Sequence, residues 1–185
     1  MPKSDPSVAE IREAITELLR TEEVATLATI DSEGRPWASA MHIAGDGLVV
    51  YMHTFRHTRK STQLRQNPNV SYSVCHLPPE GYAARQETRS LQIQGIATLV
   101  ADPAEIERIA EISMEQFPWA GETALYDHVK LPDQGQQLFF RIEPVQGLWA
   151  DNRVRMLYRV LLDFGDGGKT ITKVEDYHAV VRGRA

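Results

Sequence analysis

The 185-residue sequence predicts a mainly β protein: an antiparallel barrel with peripheral helices. Three observations predict it. Short apolar runs of strand length recur along the chain, separated by tight-turn clusters such as Gly45-Asp46-Gly47 and Gly165-Asp166-Gly167-Gly168. Helix start signals are few and interrupt the strands at isolated points. The strands are apolar mostly on one face, so the interior is packed rather than hollow. One core suffices for this length, and residues 1–185 are read as one domain with a loose lead over 1–6.

Taken in order, Asp5-Pro6 pairs a capping carboxylate with a proline suited to the first helical position. Val8, Ile11, Ile15, Leu18 and Leu19 follow at helical spacing. Residues 24–30 read as the first strand, and Asp31-Ser32-Glu33-Gly34-Arg35-Pro36 as a turn. Residues 37–44 read as the returning strand and 48–53 as a third strand. A short helix is expected from Thr58 to Asn67-Pro68, because proline disfavours helical backbone in the residue before it. Residues 70–76 alternate, with Val70, Tyr72, Val74 and His76 on one face. A loop runs from Pro78 to about Glu87. Residues 90–100 read as a long strand, interrupted or bulged near Gly95. Asp102-Pro103 repeats the cap-and-proline signal, and Ile106, Ile109, Ala110, Met114 and Phe117 form the apolar face of the next helix. A short helix is expected near 123–129. Residues 138–143, 145–150 and 155–164 read as strands, with 171–174 pairing back. No structure is assigned to the tail from about Glu175.

Composition excludes several function classes. A formal net charge of -5 argues against a general nucleic-acid binder. No apolar run approaches the ~20 residues of a membrane span, and the first residues lack the apolar centre of a signal peptide. Cys75 is the single cysteine, so no internal disulfide forms, and the cytoplasm is the expected location. His42, His53, His57 and His76 lack the cysteine or carboxylate partners of a metal site, and none is expected. No phosphate-cradling loop, dinucleotide fingerprint or hydrolase triad motif is present.

The stretch 53–69, HTFRHTRKSTQLRQNPN, carries the strongest chemical signal. Thr58 is a fair N-cap for the short helix. Arg59 and Lys60 then fall in its first turn, where the helix already carries partial positive charge. Two readings stand: a solvated basic turn, or an anion site in which free N–H groups, a hydroxyl, a guanidinium and an ammonium hold a phosphate.

The ordered set Val24-Ala25-Thr26-Leu27-Ala28-Thr29, Gly34-Arg35-Pro36, Gly47-Leu48-Val49-Val50-Tyr51, Thr58-Arg59-Lys60, Leu64, Asn67-Pro68-Asn69-Val70 and Ile93-Gln94-Gly95 resembles the pyridoxamine 5'-phosphate oxidase-like, FMN-binding split-barrel family. The resemblance covers roughly residues 8–102, with an echo at Leu148-Trp149. It implies an antiparallel split barrel and a homodimer with flavin sites at the subunit interface. It also implies that Arg59 and Lys60 hold the flavin phosphate with Thr58 beside them. His53 and Thr54 fall on flavin contacts at the end of the third strand. Ser39, Ala40, Met41 and His42 fall on the strand that runs along the isoalloxazine ring. Trp149 falls where a family tryptophan closes the partner's site.

The departures define the expected function. The oxidases of the family carry arginine and lysine where this chain has Ser39 and Ala44, and a glutamine where it has Ser90. Their C-terminal arginine-leucine-histidine segment is not evident, although Arg153, Arg155 and Arg159 lie nearby. The expectation is an FMN-dependent oxidoreductase with a small-molecule substrate or electron donor, related to the oxidases but not acting on B6 vitamers. The flavin supplies the chemistry, and no side chain need be a catalyst. Alternatives are a deazaflavin-dependent reductase, for which Arg56, Arg85 and Arg89 offer further cations, and a non-catalytic flavin- or haem-binding stress or sensor protein.

Overall fold

The computed structural model describes residues 5–122, 132–133 and 135–183. Eight antiparallel strands form one sheet in the order β3-β2-β1-β4-β5-β6-β7-β8. They are β1 (Val24–Ile30), β2 (Pro36–Asp46), β3 (Val49–Phe55), β4 (Asn69–His76), β5 (Arg89–Leu99), β6 (Gln137–Asp151), β7 (Arg159–Gly165) and β8 (Thr170–Asp176). β3 also pairs with β6, from Val50 opposite Ile142 to Phe55 opposite Gln137. That seam closes the first six strands into a barrel. The second half of β6 carries the β7–β8 hairpin outside it.

Alternation fills the barrel. Leu27, Ile43, Val50, Tyr72, Leu91, Ile93 and Ile142 all point into one buried cluster. Each buried Leu or Ile of this kind stabilises the fold by about 1.5–3 kcal/mol. Helix α1 (Val8–Thr21) closes one end by burying Ile11, Ile15, Leu18 and Leu19 in the same cluster. Its cap is Ser7 rather than Asp5. Ser7 and Glu10 form a reciprocal capping box that satisfies two orphan N–H groups, and Asp5 instead pairs with Arg155. The end of α1 lies so close to β2 that a Cβ on Gly45 would meet the Leu19 carbonyl oxygen at 2.7 Å.

The long strand bulges at the expected place, between Gln94 and Gly95. There Gln94 pairs with Gln146 and Gly95 with Pro144, so Val145 is left over and half-exposed. This bulge explains why two expected strands are one. Pro144, which has no N–H to donate, sits where the ladder is already interrupted, and β6 runs through it. Helix α3 (Pro103–Gln116) starts on Asp102, as expected, with Pro103 in the first turn. It packs Ile106 and Ile109 against Ala44, Tyr51, Val100 and Phe139 on the outside of the barrel. Met114 is exposed, and Ser113 takes the buried position instead. The 155–158 stretch is a turn, and β7 begins only at Arg159. The tail forms a short helix, α4 (Tyr177–Gly183). The helix expected near 123–129 lies outside the described residues.

One outer face has an unusual composition. Thr26 of β1 lies between Ala40 of β2 and Ser73 of β4, and Ser73 lies opposite Gln92 of β5. All four are exposed, and every outward residue of this part of the four strands is uncharged. Among the described residues, no helix is long and apolar enough to cross a membrane.

Candidate functional site

Helix α2 (Arg59–Gln66) begins where β3 ends, and Thr58 is its cap. The Thr58 hydroxyl donates to the Phe55 carbonyl at 2.9 Å and accepts the Ser61 N–H at 3.3 Å. Its single hydrogen is thus committed, so the Thr54 hydroxyl, 2.9 Å away, is the donor between the two threonines. Thr54 is buried, and this chain of hydroxyls fixes the turn.

The first turn carries two cations with no acidic partner among the described residues. Arg59 is exposed and Lys60 half-buried. Among the described residues, no carboxylate lies within salt-bridge reach of either, although Arg35, Arg108, Arg141, Arg153 and Arg155 are each paired with an acid. The backbone N–H groups of Arg59 and Lys60 likewise have no acceptor among the described residues. The turn therefore holds two cations and two N–H donors where the helix dipole is positive. Such an arrangement suits an anion.

Two aromatic groups flank this turn. On one side the Arg59 guanidinium carbon sits 3.7 Å from the centre of the Trp37 ring. The Trp37 Nε1–H donates to Asp31 Oδ2 at 3.1 Å. Asp31 also accepts from the Arg35 N–H and Nε–H and from the Glu33 N–H. Those donors, the Arg35 N–H foremost and then Trp37, hold its carboxyl far below the usual carboxylate range. The signal for this unit was in the turn cluster 31–36, read there as a turn alone.

On the other side, His53 lies 6.0 Å from both His42 and Phe139. His42 in turn meets Phe117 at 5.1 Å and Trp119 at 5.5 Å, both edge-on. Burial first, and then the charges of His42 and Lys60, push His53 down to about 4. Burial also lowers His42, against the pull of Glu23. Both rings are therefore neutral at pH 7. The His42 ring is largely shielded from water, and its Nδ1 lies 3.9 Å from the Glu23 carboxylate. His42 is thus a neutral imidazole on the strand expected to border the ring system, with Glu23 beside it.

The structure thus brings Thr54, Thr58, Arg59, Lys60, His53 and His42 to one region. On β2, Ala40 faces outward and Ser39 is half-buried, but Met41 points into the barrel core, so only its backbone can border the site. Trp149 is also elsewhere. It is 1% exposed and faces the core, because the register sets it opposite the inward residue Leu91. Of the further cations, Arg85 is exposed beside the Tyr82 ring, and the others are engaged. Arg56 donates to the Gly135 carbonyl, and Arg89 is buried 3.1 Å from Glu17. Arg153 is held by Asp151 and Arg155 by Asp5. Among the described residues, no three His, Cys, Asp or Glu side chains gather as a metal site.

A closed six-strand barrel extended by further strands and a few helices is the architecture of the FMN-binding split-barrel proteins. The chain belongs to the pyridoxamine 5'-phosphate oxidase family, whose profile matches residues 11–148. It is 33% identical over 61 residues to general stress protein 26 of Bacillus subtilis (strain 168). That match covers 33% of this chain and 43% of the relative, so the chain spans less than half of the curated protein it matches. A haem-binding protein from Mycobacterium smegmatis has a similar structure, with a TM-score of 0.66 at 18% identity, over 90% of this chain and 62% of that one. An FAD-binding protein from Mesorhizobium loti has a TM-score of 0.54 at 20% identity, over 77% of this chain and 92% of that one. At these identities the structural likeness shows the fold alone.

Proposed function

We propose that this chain is an FMN-binding oxidoreductase of the split-barrel type that does not act on B6 vitamers. The observation that carries the reading is the first turn of α2. Arg59, Lys60 and two backbone N–H groups have no acidic partner there among the described residues, at the position where the family holds its flavin phosphate. Thr58 and Thr54 would fix that turn, and Lys60 and Arg59 would neutralise the phosphate. Ser39, Ala40, the Met41 backbone, His42 and His53 would border the ring. When bound, the flavin supplies hydride or electron transfer. The protein's part is to bind, to orient and to keep two neutral imidazoles beside the site.

Two observations bear on the substrate. Ser39 and Ala44 place no charge along β2, and Ala44 is covered by α3. Arg153 and Arg155 are already paired with carboxylates, which leaves them poorly suited to grip a substrate phosphate. A different small-molecule substrate or electron donor follows. The uncharged outer face of β1, β2, β4 and β5 supports a homodimer with flavin sites at the interface, although Trp149 itself faces its own core. A lone thiol and no disulfide support a cytoplasmic setting.

The test is the absorbance spectrum of the purified protein, followed by titration with FMN and with a deazaflavin. A flavin band or tight FMN binding supports the reading. Exclusive deazaflavin binding would keep the fold and change the chemistry, although Arg89 is unavailable for a longer acidic tail. A second reading, a non-catalytic stress or sensor protein that binds flavin or haem, is favoured by the two uncharged positions on β2 and by the haem-binding neighbour. It predicts a Soret band, or a bound flavin that no reduced nicotinamide turns over.

A further inference from the structure

We infer that Trp37 is the positioning residue of the phosphate site, and that it makes this protein select phosphorylated flavin over the unphosphorylated form. The inference rests on the proposed phosphate site. Trp37 lies on the outer end of β2 and is 39% exposed, although so large an aromatic side chain is ordinarily covered. Its ring is nonetheless fixed. The Nε1–H bond to Asp31 anchors one edge, and Asp31 is itself tied down by Arg35 and the Glu33 N–H. Arg59 lies on the ring face at 3.7 Å.

This geometry divides the guanidinium into two parts. Its face is held by the indole, and its N–H donors, which lie in the guanidinium plane, have no acceptor among the described residues. An arginine held by its face can therefore present its edge to a phosphate without giving up the contact that orients it. Asp31 does not compete for that edge. Each of its oxygens already takes two donors: the Glu33 and Arg35 N–H groups on Oδ1, and Arg35 Nε and Trp37 Nε1 on Oδ2. An acid close to an unpaired arginine is thus occupied in holding the ring beneath it. Lys60, with no such platform, would act as a point charge.

The platform lowers the cost of ordering a long side chain when the anion binds, so its removal should cost FMN about tenfold in affinity. Riboflavin shares the ring system and lacks the phosphate, so it reports on everything except this contact. The experiment is titration of the full-length protein and its Trp37→Leu and Trp37→Phe variants with FMN and with riboflavin, followed by flavin fluorescence. The expected result is a wild-type preference for FMN that falls about tenfold in Trp37→Leu, with riboflavin binding unchanged and most of the preference restored in Trp37→Phe. Equal FMN binding by wild type and Trp37→Leu overturns the inference and leaves the phosphate site standing. An equal loss for both ligands also overturns it, because Trp37 would then serve the ring or the fold. A wild-type protein with no preference for FMN overturns the phosphate site and this inference together.

Discussion

Helices α3 and α2 start in the same way and carry opposite charge. Both have a side-chain cap, Asp102 on α3 and Thr58 on α2. α3 then places Glu105 in its first turn, where it complements the helix dipole. Glu105 accepts from the Tyr51 hydroxyl and from Arg141, and Arg141 is shared with Glu143. Every member of that group is engaged. α2 instead puts Arg59 and Lys60 where the dipole opposes them and gives neither a carboxylate among the described residues. The first arrangement stabilises a fold. The second costs stability and makes sense as a place for a ligand. A breach of helix electrostatics is thus more informative about function than a charge that is well paired.

The comparison can be broken most decisively from the α2 side. Arg59→Ala with Lys60→Ala should weaken FMN binding about a thousandfold, or ~4 kcal/mol for two charge-assisted contacts, with little change in melting temperature. Flavin fluorescence titration beside thermal unfolding separates the two, and unchanged affinity would sink the phosphate assignment.

A pH experiment sharpens the contrast. The unfolded chain protonates His53 near its ordinary 6.5, whereas the folded chain holds it down to about 4. Stability should therefore fall as the pH drops through that window, by up to about 3 kcal/mol, and level off below it. Urea midpoints at pH 7 and pH 4.5 measure this. The drop should shrink in His53→Gln, and in Lys60→Met, where one source of the shift is gone.

From the α3 side, Glu105→Ala leaves Arg141 half-paired and the Tyr51 hydroxyl without its acceptor. A loss of about 2 kcal/mol is expected by urea denaturation, with FMN affinity unchanged. Loss of FMN binding there would blur the distinction between the two helix starts. The smallest effect is the most pointed. Arg59→Glu with Lys60→Glu should abolish binding and yet raise stability by roughly 0.3–1 kcal/mol per residue, since the dipole is then complemented. A fall in melting temperature would mean that the Arg59–Trp37 contact outweighs the helix dipole.

Much of the fold was legible because its signals are local. Strand alternation, Asp102-Pro103, the Thr58 cap and the Gly95 bulge depend on neighbours along the chain. The misreadings came from distant partners. Asp5 looks like a cap until Arg155 claims it, and Pro144 looks like a strand end until the bulge across the sheet absorbs it. Met114 has the right spacing for the buried face of α3, but the helix turns Ser113 there instead. The placement of Arg59 and Lys60 in the first turn of a Thr58-capped helix was legible from local signals. The role of Trp37 was not, because it depends on Asp31 and Arg59 meeting across a hairpin and a helix start. Nor was the pairing of His42 with His53, which two adjacent strands bring together.

The β3–β6 seam has a consequence for how the molecule is made. Val50 must find Ile142, and Phe55 must find Gln137. Contacts between residues so far apart along a chain form late, because the loop entropy is spent before the pairing repays it. The first turn of α2 hangs from the end of β3, one of the two strands that meet at that seam. Helix α2 is eight residues long, too short to hold its form alone, so it too depends on the barrel behind it. On the proposed function, cofactor capture would therefore wait for the barrel to close, since the ring-bordering strands are complete only then.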